Sequence, residues 1–210
     1  VKSEGNTQAI VVPQDSPIKT LADLKGKRVA FGKGSSAHNL LVAALEKAGL
    51  SWSDITPAPL APADATAAFV KGSVDAWSIW DPFFAVAQER YAPRVLVTSA
   101  QALDANTFLL ANPSFANAHP DVIRDAIAAL GRAAEWAESH KPEVAQAVHT
   151  ETKVDLAAVQ LAIDRASFWV RPLDARIIAN QQATADRFQA LGLLPKKISV
   201  QEAVWKTPAS

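Results

Sequence analysis

The sequence predicts an α/β fold, a strand-and-helix lobe followed by a layer of helices. Three observations lead there. Between residues 20 and 105, short β-branched or aromatic runs alternate with segments of helical period, separated by glycine, proline or capping residues. The regular alternation implies β-α-β units with parallel strands and right-handed crossovers. After Pro113 the strand-like runs stop, and apolar residues recur only at helical spacing.

Taken in order, Ala9-Ile10-Val11-Val12 reads as a short buried strand closed by the loop from Pro13 to Pro17. Thr20 caps a brief helical turn, Leu21 to Leu24, that Gly26 ends. Arg28 to Phe31 is a second strand, running into Gly32-Lys33-Gly34-Ser35-Ser36 and then into a helix marked by Leu40, Leu41, Ala44, Leu45 and Ala48, with Gly49 at its end. Ile55 and Leu60 flank a proline-rich strand. Pro62 to Lys71 is a helix, with Pro62 suited to its first turn and Gly72 to its stop. Val74 to Trp80 is a strand, and Asp81-Pro82 supplies the N-cap and first position of a helix to Tyr91. Strands are expected at Val95–Val97 and again at Thr107–Ala111. Four helices follow, over 120–140, 142–150, 156–167 and 175–191, with Asp155 and Asp174 capping the last two. Trp136, Phe168, Trp169 and Phe188 read as core on their helical stripes. Trp77 and Trp80 fall on opposite faces of a regular strand, and Trp77 is assigned to the core.

Composition narrows the functional classes. Lysine plus arginine and aspartate plus glutamate number 21 each, so no net field draws the chain to nucleic acid. Cysteine is absent, which removes thiol nucleophiles, disulfides and zinc-thiolate sites. No apolar run approaches the roughly 20 residues of a membrane span. Methionine is absent even at residue 1, which places the chain's start downstream of a translation start and a signal peptide or other N-terminal segment ahead of it. The four histidines (38, 119, 140 and 149) lack metal-ligand spacing, and no serine sits in a nucleophile elbow. Binding without a metal or cofactor is the expectation.

Two segments carry the candidate chemistry. At Gly34, Ser35 and Ser36 a strand hands over to a helix, whose first N–H groups lie at the positive end of the helix dipole. With His38 and Asn39 in its first turn, this is a place to grip sulfonate, phosphate, nitrate or carboxylate. The same pattern equally describes a plain helix cap after a tight turn. It is not a phosphate-binding Walker loop, because Lys33 precedes the helix. The second segment is Asp75 to Pro82. Ligands collect outside the carboxyl ends of parallel strands, so Trp80 and Asp81 should share a rim with the turn. Trp80 offers a wall and an indole N–H; Asp81 suits either a ligand contact or a cap.

The segment Ala61-Pro-Ala-Asp-Ala-Thr-Ala-Ala-Phe69, continuing through Lys71-Gly-Ser-Val-Asp-Ala-Trp-Ser-Ile-Trp-Asp-Pro-Phe83, closely resembles the aliphatic sulfonate-binding proteins of ABC transporters. Gly32-Lys-Gly-Ser-Ser-Ala-His-Asn-Leu-Leu41, Leu194-Pro-Lys-Lys-Ile198 and Trp205 match the same family, within a broader group of taurine, nitrate and thiamine-precursor binders. The resemblance covers essentially the whole chain. It implies a periplasmic-binding-protein-like (type II) fold, two α/β lobes joined by crossing strands with the ligand in the cleft between them. Carried over, Gly34, Ser35, Ser36, His38 and Asn39 form one lobe's anion grip, Trp80 and Asp81 lie at the cleft edge, and Asn106 and Thr107 lie near the hinge.

One departure stands out. Family members carry a further segment ahead of the point matching Val1, which supplies most of the first lobe's sheet. The expected organisation is therefore a hinge strand and remnant of the first lobe at 1–19, a complete second lobe at 20–105, and a return strand with helices that pack on the first lobe at 106–210. Folded alone, such a chain would leave the apolar stripes of those helices exposed. The implied function is capture of alkanesulfonates in the periplasm by a protein monomeric at full length, for delivery to an inner-membrane ABC permease, through closure of the cleft on the anion. Taurine, nitrate or a pyrimidine precursor are rival ligands. A phosphate-handling enzyme using His38 as acid or base, and a ligand-free interaction module, are rivals of other classes.

Overall fold

Five short strands form one mixed sheet: β1 (Gln8–Val12), β2 (Arg28–Phe31), β3 (Thr56–Pro59), β4 (Ala76–Trp80) and β5 (Arg94–Thr98), in the order β3-β2-β4-β1-β5. The computed structural model describes residues 6–103 and 105–206; residues 1–5, 104 and 207–210 of the expected segments lie outside them. Ten α-helices are described: α1 (Ser36–Lys47), α2 (Pro62–Val70), α3 (Phe83–Tyr91), α4 (Ser99–Ala102), α5 (Pro113–Ala118), α6 (Pro120–Ser139), α7 (Lys141–Thr152), α8 (Leu156–Arg165), α9 (Ala175–Ala190) and α10 (Val200–Ala203). Contacts divide the chain into two compact units, Val1–Ala105 with Pro142–Ala166, and Asn106–Lys141 with Ser167–Ser210.

In the first unit the sheet is covered on both faces, so all five residues of β1 are buried rather than alternating. Ile10, Val12, Val29 and Phe31 pack with Leu40, Leu41 and Leu45 of α1. On the other face Ala9, Val11, Ala30, Trp77 and Ile79 pack with Phe69 of α2 and Phe84 of α3. Trp77 is core, as its position predicts, at 2% exposure.

The parallel arrangement expected between residues 20 and 105 holds, and the strand ahead of that range runs the other way. β2 runs parallel to β3 and β4, but β1 lies antiparallel between β4 and β5. Strand-helix alternation fixes the direction of strands joined by crossovers. No helix precedes β1 within the pattern, and nothing in its five residues encodes which way it enters. β4 also starts later than expected. Asp75 is held outside it, with its Oδ2 accepting from the Arg28 N–H at 2.7 Å.

The helical half holds a correction. Thr107–Ala111 forms no strand; a run with a strand-like composition becomes a strand only against another strand's backbone. The helices beyond it end close to expectation. Asp155 Oδ1 caps α8 by accepting from the Ala157 N–H at 2.9 Å, and Asp174 Oδ1 caps α9 through the Ile177 N–H at 2.7 Å. They do not all group together, however. α8 packs on α3 through Ala158, Ala162 and Ala85, which puts it in the sheet's unit. In the second unit α5 packs on α6 and α10 on α9. Trp205 Nε1 donates to Asn117 Oδ1 at 3.3 Å there. Trp136 and Trp169, read as core in the sequence, stand about half exposed (50% and 46%), and Val122, Ile127 and Leu130 of α6 are exposed as well.

Candidate ligand-binding site

The turn between β2 and α1 is held by its own side chains. Gly34 adopts φ +73°, a left-handed conformation open to glycine without strain. Ser35 is the N-cap: its Oγ donates to the Gly32 carbonyl at 2.7 Å and accepts from the His38 N–H at 3.3 Å. The serine hydroxyl therefore does the capping work. His38 Nδ1 accepts from the Gly34 N–H at 3.2 Å, and its ring clusters with Phe31 (4.5 Å between centroids) and Trp52 (5.0 Å), which also touch each other (5.3 Å). Burial pushes the His38 pKa down, with Lys33 adding to the effect, so the ring is neutral at pH 7. With Nδ1 accepting, the proton of that neutral ring sits on Nε2. Asn39 is buried one residue further on.

Ser36 is exposed at the first helical position. The N–H groups of Ser36 and Ala37 precede the ladder that begins with His38 and Asn39 donating to the Ser35 carbonyl. Below them, Ser78 Oγ of β4 donates to the Ala37 carbonyl at 2.8 Å and straps the helix start to the sheet. Trp80 closes the same rim. A Cβ added at Gly32 would lie 3.1 Å from two Trp80 ring carbons and from Ser35 Oγ. Any side chain at this position would require the indole or the Ser35 hydroxyl to give way by a few tenths of an ångström. Trp80 is half-buried and meets Phe83 edge-on, with centroids 5.6 Å apart.

Asp81 faces a different set of partners. The helix after it starts at Phe83 with Pro82 as N-cap, one residue later than predicted, yet Asp81 Oδ1 still accepts from the Ala85 N–H at 3.0 Å. Its Oδ2 stands 3.3 Å from Arg165 Nε of α8. That Nε–H points at the Leu161 carbonyl (3.1 Å), so the carboxylate contact is coulombic and not a directed hydrogen bond. Arg165 Nη2 donates to Gln88 Oε1 at 2.6 Å, and the guanidinium lies 4.3 Å over the Phe84 ring. Burial raises the Asp81 pKa to about 6, against the pull of Arg165 and the Ala85 N–H. Burial likewise pulls Arg165 below its ordinary value, with Asp81 opposing. In both partners desolvation outweighs attraction, as expected for an ion pair taken out of water.

Thus Gly34, Ser35, Ser36, His38, Asn39 and Trp80 come together at one rim of the sheet, with Asp81 at the same strand end but turned to α3 and α8. Asn106 and Thr107 fall in the second unit. Sequence reasoning missed Arg165, Ser78 and Trp52. The first is linked to Asp81 only through packing of α8 on α3, which no local pattern announces. No group of three or more potential metal-ligating side chains occurs among the described residues, and no described helix is long and apolar enough to cross a membrane.

Comparison with known proteins adds the family. The family model described as NMT1/THI5 like matches residues 3–145. The chain belongs to the NMT1/THI5-like family. Within it, the chain is 38% identical over 200 residues to a putative aliphatic sulfonates-binding protein of Escherichia coli, covering 95% of this chain and 63% of that protein. A Bacillus subtilis protein of the same description is 33% identical, with 94% and 60% covered. The chain thus spans a little under two thirds of the length of these relatives. Among solved structures, the periplasmic aliphatic sulphonate binding protein of Escherichia coli superposes with a TM-score of 0.91 at 37% identity, covering 96% of this chain and 66% of that one. The alkanesulfonate-binding protein of Xanthomonas axonopodis pv. citri bound to MOPS gives 0.84 at 40%, covering 96% and 70%. The fold expected from the sequence, that of the periplasmic sulfonate-binding proteins, is the one these structures share. A desulfurization enzyme at 17% identity and a TM-score of 0.64 shares the fold alone.

Proposed function

We propose that this chain belongs to a periplasmic solute-binding protein that captures aliphatic sulfonates for an ABC importer. The observation that carries the reading is the start of α1. Its Ser36 and Ala37 N–H groups lead the helix, its turn is fixed by Ser35 and His38, and Trp80 stands beside it as an apolar wall. A sulfonate is a fixed anion with three acceptor oxygens on an apolar tail, and it meets both features at once. Gly34, Ser35, His38 and Asn39 shape the grip and Ser36 completes it. Asp81 sets the edge of the rim through α3 and α8. Asn106 and Thr107 join the reading by their place in the sequence, after the lobe ends.

The domain reading goes with it: residues 20–105 act as the lobe that holds the anion, with 1–19 as hinge and 106–210 as the return segment and helices. Closure of the family's two lobes on the anion would shift the full protein toward the form its permease receives. Turnover is not part of this reading. The named sulfonate-binding relatives are binding proteins, and His38, the sequence's best acid-base candidate, is a buried neutral ring whose Nδ1 holds the turn.

Isothermal titration of the full gene product with ethanesulfonate, nitrate, sulfate and phosphate at matched pH tests it. Saturable binding of ethanesulfonate, at least tenfold tighter than the inorganic anions, is expected (roughly 1.4 kcal/mol). Preference for nitrate or phosphate would reassign the ligand, and an absence of saturable heat with the sulfonate would end the reading.

A further inference from the structure

The rim that carries the start of α1 also holds a buried polar group with no part in the turn. Gln8 opens β1 and stands directly across from Trp80 in the antiparallel ladder. Residues opposed in this way project from the same face. Alternation along β1 puts Gln8 on the side of Ile10 and Val12, which pack against Leu40 and Leu41 of α1. Ser78, two residues before Trp80 on that same side, is bonded to the first turn of α1. Trp80 in turn reaches over Gly32. Gln8, Trp80, Gly32 and the α1 N-terminus therefore line one continuous edge.

Gln8 is 8% exposed, and its Oε1 accepts no hydrogen bond from the described residues. A buried amide oxygen without a donor costs folding free energy that a valine or leucine at this strand position would avoid. The rim is thus polarised. Helix N–H donors hold one part of it, Trp80 stands in the middle, and an uncommitted acceptor lies on the far side of the indole's strand.

We propose that Gln8 reads the tail of the bound anion: its Oε1 accepts a hydrogen bond from an O–H or N–H carried on the ligand's carbon chain while α1 holds the charged end. The favoured substrates are then sulfonates bearing a hydroxyl or amino group, in preference to unsubstituted alkanesulfonates. This rests on reading the start of α1 as a sulfonate grip.

The test is titration of the full gene product, wild type and Gln8→Leu, with ethanesulfonate, 2-hydroxyethanesulfonate and 2-aminoethanesulfonate. The wild type should bind at least one substituted ligand about tenfold tighter than ethanesulfonate, the effect of one added hydrogen bond. Gln8→Leu should erase that preference, bringing the affinities for the three ligands within about twofold of one another. Equal wild-type affinities overturn the inference without any variant. A preference that survives in Gln8→Leu, or an equal loss for all three ligands, overturns it as well. Should Gln8→Leu fail to fold, Gln8→Met makes the same comparison with a more adaptable side chain. Ethanesulfonate binding without discrimination removes this inference alone, whereas no binding of any of the three removes the sulfonate reading and this inference with it.

Discussion

Ser35 uses its hydroxyl in both directions, donating to Gly32 and accepting from His38. The sequence left a choice between a ligand contact and a helix cap at this position, and the structure shows the cap. In the proposed grip its value to binding is indirect, in holding the Ser36 and Ala37 N–H groups in place. Ser35→Ala should cost about 1 kcal/mol of stability by urea denaturation and weaken sulfonate affinity without abolishing it. Complete loss of binding in a well-folded Ser35→Ala protein would show that the hydroxyl itself touches the ligand. Asp81 makes a prediction of a different kind. Its folded pKa of about 6 lies above the ordinary 3.8, so between those values the native chain holds a proton that the unfolded chain has released. Its contribution to stability is complete below pH 4 and is lost as pH rises through 6. His38 acts in the opposite sense, because its folded pKa is lowered. Its contribution is present above its ordinary value of 6.5 and lost on acidification through the lowered one. Denaturation midpoints from pH 4 to 7 should therefore show a falling term in the wild type that Asp81→Asn lacks. Identical slopes in the two proteins would contradict the buried-carboxylate account.

At the scale of elements, the attachment of α8 to α3 is the feature furthest from any sequence signal. It joins Ala158 and Ala162 to Ala85 and brings Arg165 to Asp81, Gln88 and Phe84. Removing one member of a buried ion pair strands the other charge, which costs about 3–5 kcal/mol, whereas replacing both with apolar groups of similar volume is close to neutral. Arg165→Met, which strands the buried Asp81 carboxylate, should thus be strongly destabilising at pH 7, and adding Asp81→Asn should recover most of the loss in urea melts. Asp81→Asn alone, a neutral stand-in for the protonated acid that the fold favours, should cost little. Additive losses would mean that the pair is not coupled. The local signals that did succeed are those whose chemistry is short-range. Gly34 and the serines marked the turn, Asp155 and Asp174 marked caps, and the odd spacing of Trp77 and Trp80 separated core from rim. What stayed hidden depends on distant backbone: the reversed direction of β1, the absence of a strand at 107–111, and the unpartnered amide oxygen of Gln8 among the described residues, whose place on the rim becomes visible only when Trp80 is placed opposite it.

For the whole molecule, equal numbers of acidic and basic residues mean that no net charge steers an anion to the protein. The recognition proposed above is accordingly local, through backbone groups at one helix end and a tryptophan beside them. The fold around that helix is the one found in sulfonate-binding proteins of known structure, and most of its sheet lobe was legible from strand-helix alternation. In the helical half, Val122, Ile127 and Leu130 of α6 are exposed, whereas α8 packs on α3. The central claim is that the anion sits at the start of α1, and amide chemical shifts report that contact directly. On titrating ethanesulfonate into 15N-labelled full gene product, the Ser36 and Ala37 amide protons should move downfield along one saturable curve, while sodium chloride at equal ionic strength leaves them in place. Saturable ethanesulfonate binding with those two resonances unmoved would contradict the account.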